Sequence, residues 1–208
     1  MKKATQSSAP KLRSGHAVAA ALSCAMVFFV AVAMAAFSSA ALADNAFITG
    51  ATSAQPPSGA SQLCQRYSWA CSDRSSQSID GRRELSVVKQ INRHVNASTR
   101  EISDQSQYRL QEKWALPTKL GGDCEDFVLL KKRNLIEAGV DPKRLLIATV
   151  LDTRRRGHAV LVYRSPRGDM VLDNVTNQIK AWSATRYLFL RMQDPNQPRR
   201  WLGVYRKS

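Results

Sequence analysis

The chain has 208 residues, with 31 Lys and Arg against 16 Asp and Glu, and it contains four cysteines. A composition that is 44% hydrophobic and 23% charged is typical of a globular protein and excludes a disordered or fibrous chain. Four cysteines are too few for a disulfide-dense scaffold. The net charge of +15 by itself suggests an acidic partner such as nucleic acid or anionic lipid.

Residues 1–43 have the pattern of a secretory signal peptide. Basic residues come first, an apolar run follows over residues 17–37, and Ala41-Leu42-Ala43 supplies the small residues that a signal peptidase recognises. We therefore expect cleavage before Asp44 and a periplasmic protein. No twin-arginine pair precedes the apolar run, which favours the general secretion route. The alternative is an N-terminal anchor in the inner membrane, because the run is long enough to span a bilayer.

Export changes what the basic charge indicates. The signal peptide would remove four basic residues, and the mature chain would remain basic. An exported protein is not expected to bind nucleic acid, so the charge points to envelope lipid, an acidic surface polymer or an acidic protein. A solvated basic surface without a partner is equally open. No second long apolar run follows, so we expect no stable membrane insertion after cleavage of the signal.

Residues 44–62 are rich in Ala, Ser, Gly, Thr and Pro, and this composition predicts a flexible leader. The domain is then expected to occupy residues 63–208, which is long enough for one hydrophobic core. An amphipathic helix is predicted over residues 83–96, and a second helical stretch over residues 105–114. Apolar side chains recur in the first of these at three- and four-residue intervals: Leu85, Val88, Ile91 and Val95.

The rest of the domain predicts one more helix and then strands. A largely buried helix should run from Cys124 to Ala138, closed by Gly139. The continuous apolar run over residues 145–151 predicts a buried strand. Strand-like segments at 158–163, 170–173 and 187–192 follow, the first two joined by a hairpin turn at residues 165–168. Helices followed by an antiparallel sheet make an α+β fold.

Three cysteines remain after the signal peptide, and an odd number in an exported protein implies either an intermolecular bridge or a free thiol. Cys64 and Cys71 are seven residues apart in a loop-like stretch, so they are natural disulfide partners in an oxidising compartment. That pairing would leave Cys124 free. A lone cysteine is usually a buried, inert residue, but the context of Cys124 argues for a chemical role.

Cys124 follows Gly121-Gly122-Asp123 and begins a predicted helix. The free N–H groups and the positive dipole at a helix N-terminus favour a thiolate. The two glycines would also let the backbone approach a substrate closely. The sequence therefore makes Cys124 a candidate nucleophile.

A cysteine nucleophile needs a base, and the base needs an orienting acceptor. His94 lies among polar residues on the amphipathic helix, whereas His158 begins a strand. If the hairpin turns at residues 165–168, His158 lies opposite a residue between about Asp173 and Val175, where side chains can touch. Each residue also has an ordinary structural interpretation, a strand histidine and a strand-ending aspartate, so it is their combination with Cys124 that favours catalysis.

The segments GDCEDFVLLKKR, GHAVLVYRSPRGDMVLDN and KAW resemble the bacterial transglutaminase-like cysteine proteinases. Cys64 and Cys71 are similar to the two-cysteine start of that family's domain. The resemblance implies a papain-like, transglutaminase-core fold with Cys124 as the nucleophile, His158 as the general base and Asp173 as the orienting residue. Some members are periplasmic proteases that release surface adhesins, which implies a protein substrate in the envelope or at the cell surface.

The same resemblance implies calcium beside the catalytic helix. Asp123, Glu125 and Asp126 flank Cys124, and three carboxylates would raise the pKa of its thiol unless a cation offset their charge. Asp123 and Glu125 are the expected ligands, and no organic cofactor is expected. The alternative is that Asp123 caps the helix while Glu125 and Asp126 complement its dipole.

The leading hypothesis is an exported cysteine protease that forms an acyl-enzyme. One alternative keeps the triad and transfers the acyl group to an amine, as a transglutaminase does; another is a non-catalytic envelope-binding module of the same fold. The sequence contains no sensor domain, so we expect regulation by a separate protein, for example one in the inner membrane. Residues 154–156 are three arginines that either line the cleft entrance and favour an acidic substrate or form a solvated loop.

Overall fold

A computed structural model describes residues 46–74 and 78–207 of the chain. The signal peptide predicted over residues 1–43 lies outside the described residues. Within the described ranges, none of the helices combines the length and the apolar composition needed to cross a bilayer.

The helices precede most of the strands, and the α+β fold class predicted from the sequence is confirmed. The long predicted helices form with nearly the predicted bounds. Asp80 caps the first of them by accepting a 2.9 Å hydrogen bond from the Arg82 N–H, and Gly139, with φ of 92°, ends the second. The helices are α1 (Leu63–Arg66), α2 (Gly81–Ser98), α3 (Asp104–Tyr108) and α4 (Cys124–Glu137).

The strands form an antiparallel sheet that has seven members within the described residues. Strand β2 has the predicted bounds, and β3 and β4 form the predicted hairpin. The last strand and two short edge strands were not predicted. The strands are β1 (Thr52–Ala54), β2 (Leu145–Leu151), β3 (Gly157–Ser165), β4 (Gly168–Leu172), β5 (Lys180–Ala181), β6 (Leu188–Gln193) and β7 (Trp201–Lys207). Their order across the sheet is β1-β7-β6-β2-β3-β4-β5.

Several residues within 46–62 contact the sheet, which differs from the flexible leader predicted over residues 44–62. The Ala46 carbonyl accepts a hydrogen bond from the Asp169 N–H at 2.8 Å. Ile48 is 2% exposed, and its N–H donates to Asp169 Oδ2 at 2.7 Å. Strand β1 then pairs with β7. These partners lie more than a hundred residues away, so local composition contained no sign of them.

Both faces of the sheet are buried, which explains the unbroken apolar run of β2. On one face, Leu145 and Ile147 belong to the hydrophobic cluster that also contains Val88 of α2 and Leu129 of α4. On the other face, Leu146 and Ala148 belong to a second cluster. The helix that begins at Cys124 is thus packed directly on the central strands.

Two helical predictions need correction. On α2, Leu85 is 40% exposed, whereas Glu84 is buried and accepts hydrogen bonds from the Tyr163 hydroxyl at 2.6 Å and from Arg144 at 2.9 Å. The second helical stretch, predicted over residues 105–114, ends at Tyr108 because Arg109 takes a left-handed conformation with φ of 60°.

The predicted disulfide between Cys64 and Cys71 is present, with Cα atoms 5.4 Å apart. The buried side chain of Gln193 joins this segment to the rest of the core. Its Nε2 donates to the carbonyls of Ala70 at 3.1 Å and Pro198 at 2.9 Å. Its Oε1 accepts from the Lys132 ammonium at 2.7 Å and from the Ile147 N–H at 3.1 Å. One side chain therefore connects the disulfide segment, helix α4 and strand β2.

Candidate active site

The N-terminus of α4 is held by the two glycines before it. Gly121 has a φ of 125°, and a Cβ there would lie 2.0 Å from the Arg100 carbonyl oxygen. A Cβ on Gly122 would lie 2.4 Å from a carboxylate oxygen of Asp126. The sequence suggested that these glycines bring backbone close to a substrate; in the structure they bring it close to the preceding segment and to the helix itself. They thereby position the start of the helix at Cys124.

Cys124 is partly exposed and forms no disulfide. Its Sγ donates a hydrogen bond to Glu125 Oε2 at 3.2 Å. Burial, followed by the negative charge of Glu125, raises the pKa of the thiol, and a hydrogen bond from the Ala159 N–H lowers it by less. The helix dipole alone therefore does not give a resting thiolate here.

His158 and Asp173 are in contact. His158 Nε2 lies 2.9 Å from Asp173 Oδ1, and both side chains are largely buried. The Tyr187 hydroxyl donates to Asp173 Oδ2 at 2.6 Å, and the Val175 N–H donates to Oδ1 at 3.1 Å. Burial acts to raise the pKa of Asp173, but the hydrogen bonds and charge of His158 and the other donors outweigh it, so the pKa lies below its ordinary value.

The hairpin register explains this contact. Ser165 pairs with Gly168 and Leu161 with Leu172, so the turn lies where the sequence placed it. Continued along β3, this register puts His158 opposite residue 175, two positions beyond Asp173. Side chains at such a diagonal offset are within reach of each other.

The chain after β4 is held against helix α2. Asn96 Nδ2 donates to the Asp173 carbonyl at 2.9 Å and to Asn177 Oδ1 at 2.9 Å.

The Tyr187 ring lies edge-on to the His158 ring, with centroids 6.0 Å apart. The imidazole is therefore held by a carboxylate at Nε2 and by an aromatic neighbour.

Cys124 and His158 line one cavity of about 460 Å³. Asp173 is the buried support behind His158. Tyr187, Asp123 and Glu101 also line this cavity, as do two arginines of the loop between β2 and β3, Arg154 and Arg156. The three residues proposed from the sequence as nucleophile, base and orienting group are thus brought to one site.

A group of carboxylates lies beside this cavity. Asp104, Asp123 and Glu125 each offer an oxygen, and these oxygens lie within 4.8 Å of one another. In each residue one oxygen is engaged: Asp104 Oδ2 accepts from the Lys113 N–H, Asp123 Oδ2 from the Asp104 N–H at 3.2 Å, and Glu125 Oε2 from Cys124. The second oxygen of each is buried and has no hydrogen-bond partner among the described residues.

Neither alternative drawn from the sequence for these acids describes them fully. Asp123 occupies the N-cap position, but its side chain makes no capping hydrogen bond. Glu125 is 4% exposed, and burial together with the charge of Asp123 raises its pKa to about 9. Asp126 is separate, because its Oδ1 accepts from the Ala115 N–H at 3.0 Å; burial raises its pKa to about 7. The unpartnered oxygens suit a hard cation.

Residues 50–208 match the model of the family described as bacterial transglutaminase-like cysteine proteinase. The chain belongs to this family. The resemblance inferred from its motifs is confirmed, and the protein is a transglutaminase-like cysteine peptidase.

This proteinase is also similar in structure to LapG of Legionella pneumophila. The calcium-bound form of LapG is 22% identical, with a TM-score of 0.49 over 60% of this chain and 71% of LapG. An EGTA-treated form aligns with a TM-score of 0.46, at 22% identity over 53% of this chain and 63% of LapG. No curated protein matches the chain.

Two residues of the proteinase's site were missed by the sequence analysis. Tyr187 stands at the start of a predicted strand, and Asp104 lies just before the second helical stretch predicted over residues 105–114. Asp104 reaches Asp123 because Glu101 forms a bridge with Gly122, so the residues after Arg100 run beside the start of α4. No local pattern marks either residue as part of the site.

Proposed function

We propose that this proteinase hydrolyses peptide bonds through an acyl-enzyme, with Cys124 as the nucleophile, His158 as the general base and Asp173 as the residue that orients it. The observation that carries this proposal is the 2.9 Å contact between His158 Nε2 and Asp173 Oδ1 at a cavity that Cys124 also lines. A nucleophile, a base and an orienting acceptor are the parts that cysteine hydrolases need.

Because Nε2 contacts Asp173, the proposed reaction uses the other ring nitrogen, Nδ1, toward the thiol. The Cys124 proton passes to Nδ1 as sulfur attacks the carbonyl carbon of the scissile bond, and the imidazolium then protonates the leaving amine. His158 next removes a proton from water as the water oxygen attacks the thioester carbonyl. The C–S bond then breaks, the acid leaves, and the imidazolium returns its proton to the Cys124 sulfur. Asp173, whose pKa lies below its ordinary value, stays ionised at neutral pH and stabilises the imidazolium.

Tyr187 acts on Asp173 and is a positioning residue. Its 2.6 Å hydrogen bond to Oδ2 holds the carboxylate so that Oδ1 faces His158. A hydrogen bond to a carboxylate also favours its ionised form.

Asp104, Asp123 and Glu125 fit a calcium ion, because calcium prefers carboxylate oxygens and each residue has a buried oxygen without a partner among the described residues. When bound, calcium would supply positive charge that offsets these three carboxylates. The residues themselves connect the segment after Arg100 to the start of α4, through the hydrogen bond from the Asp104 N–H to Asp123.

The compartment and the substrate follow from separate features. The signal pattern of residues 1–43 favours export to the periplasm, and the Cys64–Cys71 disulfide suits an oxidising compartment. The substrate is then a protein of the envelope or the cell surface. Regulation by a separate inner-membrane protein stays a prediction, as do the general secretion route and the anchored alternative.

The proposal is tested by Cys124→Ala and His158→Ala, each of which should abolish cleavage while the thermal melting temperature is retained. His94→Ala, a change at an exposed histidine of α2, is the matched control and should remain active. Comparison of surface and secreted proteins between wild-type and Cys124→Ala strains identifies the substrate as a polypeptide retained by the variant. Undiminished cleavage by purified Cys124→Ala would contradict the proposal, and incorporation of a labelled amine would identify amide transfer.

A further inference from the structure

Four arginines lie along this cavity and an adjoining one, three in the loop between β2 and β3 and one immediately before Tyr187. We call them the arginine rim: Arg154, Arg155, Arg156 and Arg186. All four are exposed. The proposed hydrolysis does not require these arginines, and their position near Cys124 and His158 points to a role in substrate binding.

The loop is held in one shape by Asp152. Its Oδ1 accepts from the N–H groups of Arg154 at 2.7 Å and Arg156 at 2.9 Å, and its Oδ2 accepts from the Arg156 guanidinium at 2.9 Å. The Asp152 carbonyl also accepts from the Arg155 N–H at 2.9 Å. Arg154, Arg155 and Arg156 therefore lie on a turn that is held by hydrogen bonds to Asp152.

Three of these positive charges are not neutralised. Arg156 is paired with Asp152. The guanidinium groups of Arg154, Arg155 and Arg186 have no hydrogen-bond or ion-pair partner among the described residues. Their charge is available to an anionic group from outside the domain.

The arginine rim borders two adjoining cavities. Arg154 and Arg156 line the cavity that contains Cys124 and His158. Arg155 and Arg186 line an adjoining cavity of about 360 Å³, which shares Asp152 and Thr153 with the first. The arginines thus line both the cavity of Cys124 and His158 and the cavity next to it.

Asp152 is paired with Arg156, and the other acidic residues that line this cavity lie elsewhere in the chain. Glu101 and Asp123 also line it but come from the segment before α4. A polypeptide in the cleft therefore meets negative charge near the start of α4 and positive charge along the β2–β3 loop. Because of this difference in charge, the side of the scissile bond on which a substrate carries its acidic side chains should affect its binding.

We propose that the arginine rim binds carboxylate side chains of the substrate polypeptide on one side of the scissile bond, and so selects acidic segments. This inference rests on the proposed function and specifies its substrate class. A planar guanidinium donates two parallel hydrogen bonds to a carboxylate, which a lysine ammonium cannot do. Charges at the edge of a cleft act mainly on encounter rate and specificity, so the effect should weaken as salt is added.

The first test uses a synthetic library of randomised decapeptides and determines the cleaved sequences by mass spectrometry. The wild type should cut peptides that are enriched in Asp and Glu on one side of the bond. The double variant Arg154→Glu/Arg155→Glu should lose that enrichment and cleave such peptides at least ~10-fold less efficiently. Arg154→Gln/Arg155→Gln should give an intermediate loss. Arg82→Glu/Arg167→Glu changes charge equally at exposed positions outside the cleft and should keep the wild-type preference.

The second test measures binding of the same library to the Cys124→Ala protein, with and without the Arg154→Glu/Arg155→Glu changes. Capture of acidic peptides that requires the two arginines would support substrate binding by the arginine rim, even if the wild type cleaves no peptide. Absence of cleavage by the wild type would contradict only the proposed hydrolysis. Cleavage without enrichment of acidic peptides would overturn substrate binding by the arginine rim, as would an equal loss of this enrichment in Arg82→Glu/Arg167→Glu. Either result would leave the proposed hydrolysis unaffected.

Discussion

The Tyr187 hydroxyl donates a 2.6 Å hydrogen bond to Oδ2 of Asp173, the carboxylate whose other oxygen faces His158. Asp173 is 4% exposed, so it depends on these donors and not on water for its solvation. The tyrosine therefore supports both the charge and the orientation of the residue that holds the imidazole.

Tyr187→Phe should lower kcat/KM by roughly tenfold, because a hydrogen bond to a charged group contributes about 1.5–3 kcal/mol. Loss of the donor should also raise the pKa of Asp173, so the acid limb of the pH–rate profile should move to higher pH. The measurement is kcat/KM against pH on a peptide that the wild type cleaves. Tyr205→Phe, at an exposed tyrosine, is the control. An unchanged profile in Tyr187→Phe would contradict a positioning role.

Asp104→Asn should weaken calcium binding, because it removes one of the three carboxylates proposed to bind the ion. Each of these carboxylates has a buried oxygen without a hydrogen-bond partner among the described residues. For the wild type, saturating calcium should raise the melting temperature by about 5 °C over EGTA. The variant should lose most of this difference, as measured by calorimetry in calcium and in EGTA. Glu137→Gln at the other end of α4 should keep it. A calcium response that survives in Asp104→Asn would remove Asp104 from the site.

Lys131→Met should stabilise the protein in a pH-dependent way. Lys131 is 0% exposed, its ammonium has no hydrogen-bond partner among the described residues, and burial lowers its pKa to about 7, opposed in part by the charge of Asp173. Between that pKa and the usual lysine value, the unfolded chain binds a proton that the folded chain does not, so the stability of the wild type rises with pH. Below pH 7 the folded state must hold a buried ammonium.

The variant should therefore exceed the wild type by about 2 kcal/mol in unfolding free energy at pH 6, and this advantage should shrink by pH 10. Urea unfolding at the two pH values measures it. Lys89→Met, at an exposed lysine of α2, should change the unfolding free energy little at either pH. An advantage for Lys131→Met that grows toward pH 10 would show that burial of the charge is not its cause.

Cys64→Ser/Cys71→Ser should lower the unfolding free energy by about 2 kcal/mol, because the disulfide closes a short loop. Urea unfolding with and without reductant measures this loss. Reductant should destabilise the wild type and leave the double variant unaffected. Both proteins should carry Cys124→Ala so that the free thiol cannot exchange with the disulfide. Equal stability of the two oxidised proteins would contradict a stabilising role for the bridge.

The sequence predicted the parts of the fold that depend on local patterns. The apolar run of β2 defined its bounds at Leu145 and Leu151, because a strand buried on both faces needs apolar residues throughout. The turn between β3 and β4 fixed the register that brings His158 to Asp173. The pairing of Cys64 with Cys71 was also predicted, because the two cysteines are close in the sequence of a chain expected to be exported.

The features that were not predicted depend on contacts between distant segments. Ile48 is buried through a partner 121 residues away, so a Ser- and Pro-rich composition was misleading. Asp104 approaches Asp123 across 19 residues, through a segment with weak helical character. Tyr187 reaches Asp173 because β6 returns beside β2. Each depends on a contact between segments that are distant in the chain, which no short pattern contains.

The contacts of Gln193 have a consequence for local unfolding of the domain. Its amide links Ala70 beside the disulfide, Lys132 on the helix that begins at Cys124, and Ile147 in the central strand. Because it is fully buried, none of these links can be replaced by solvent while the domain stays closed. The disulfide segment and helix α4, which begins at Cys124, should therefore exchange their amide hydrogens as one cooperative unit.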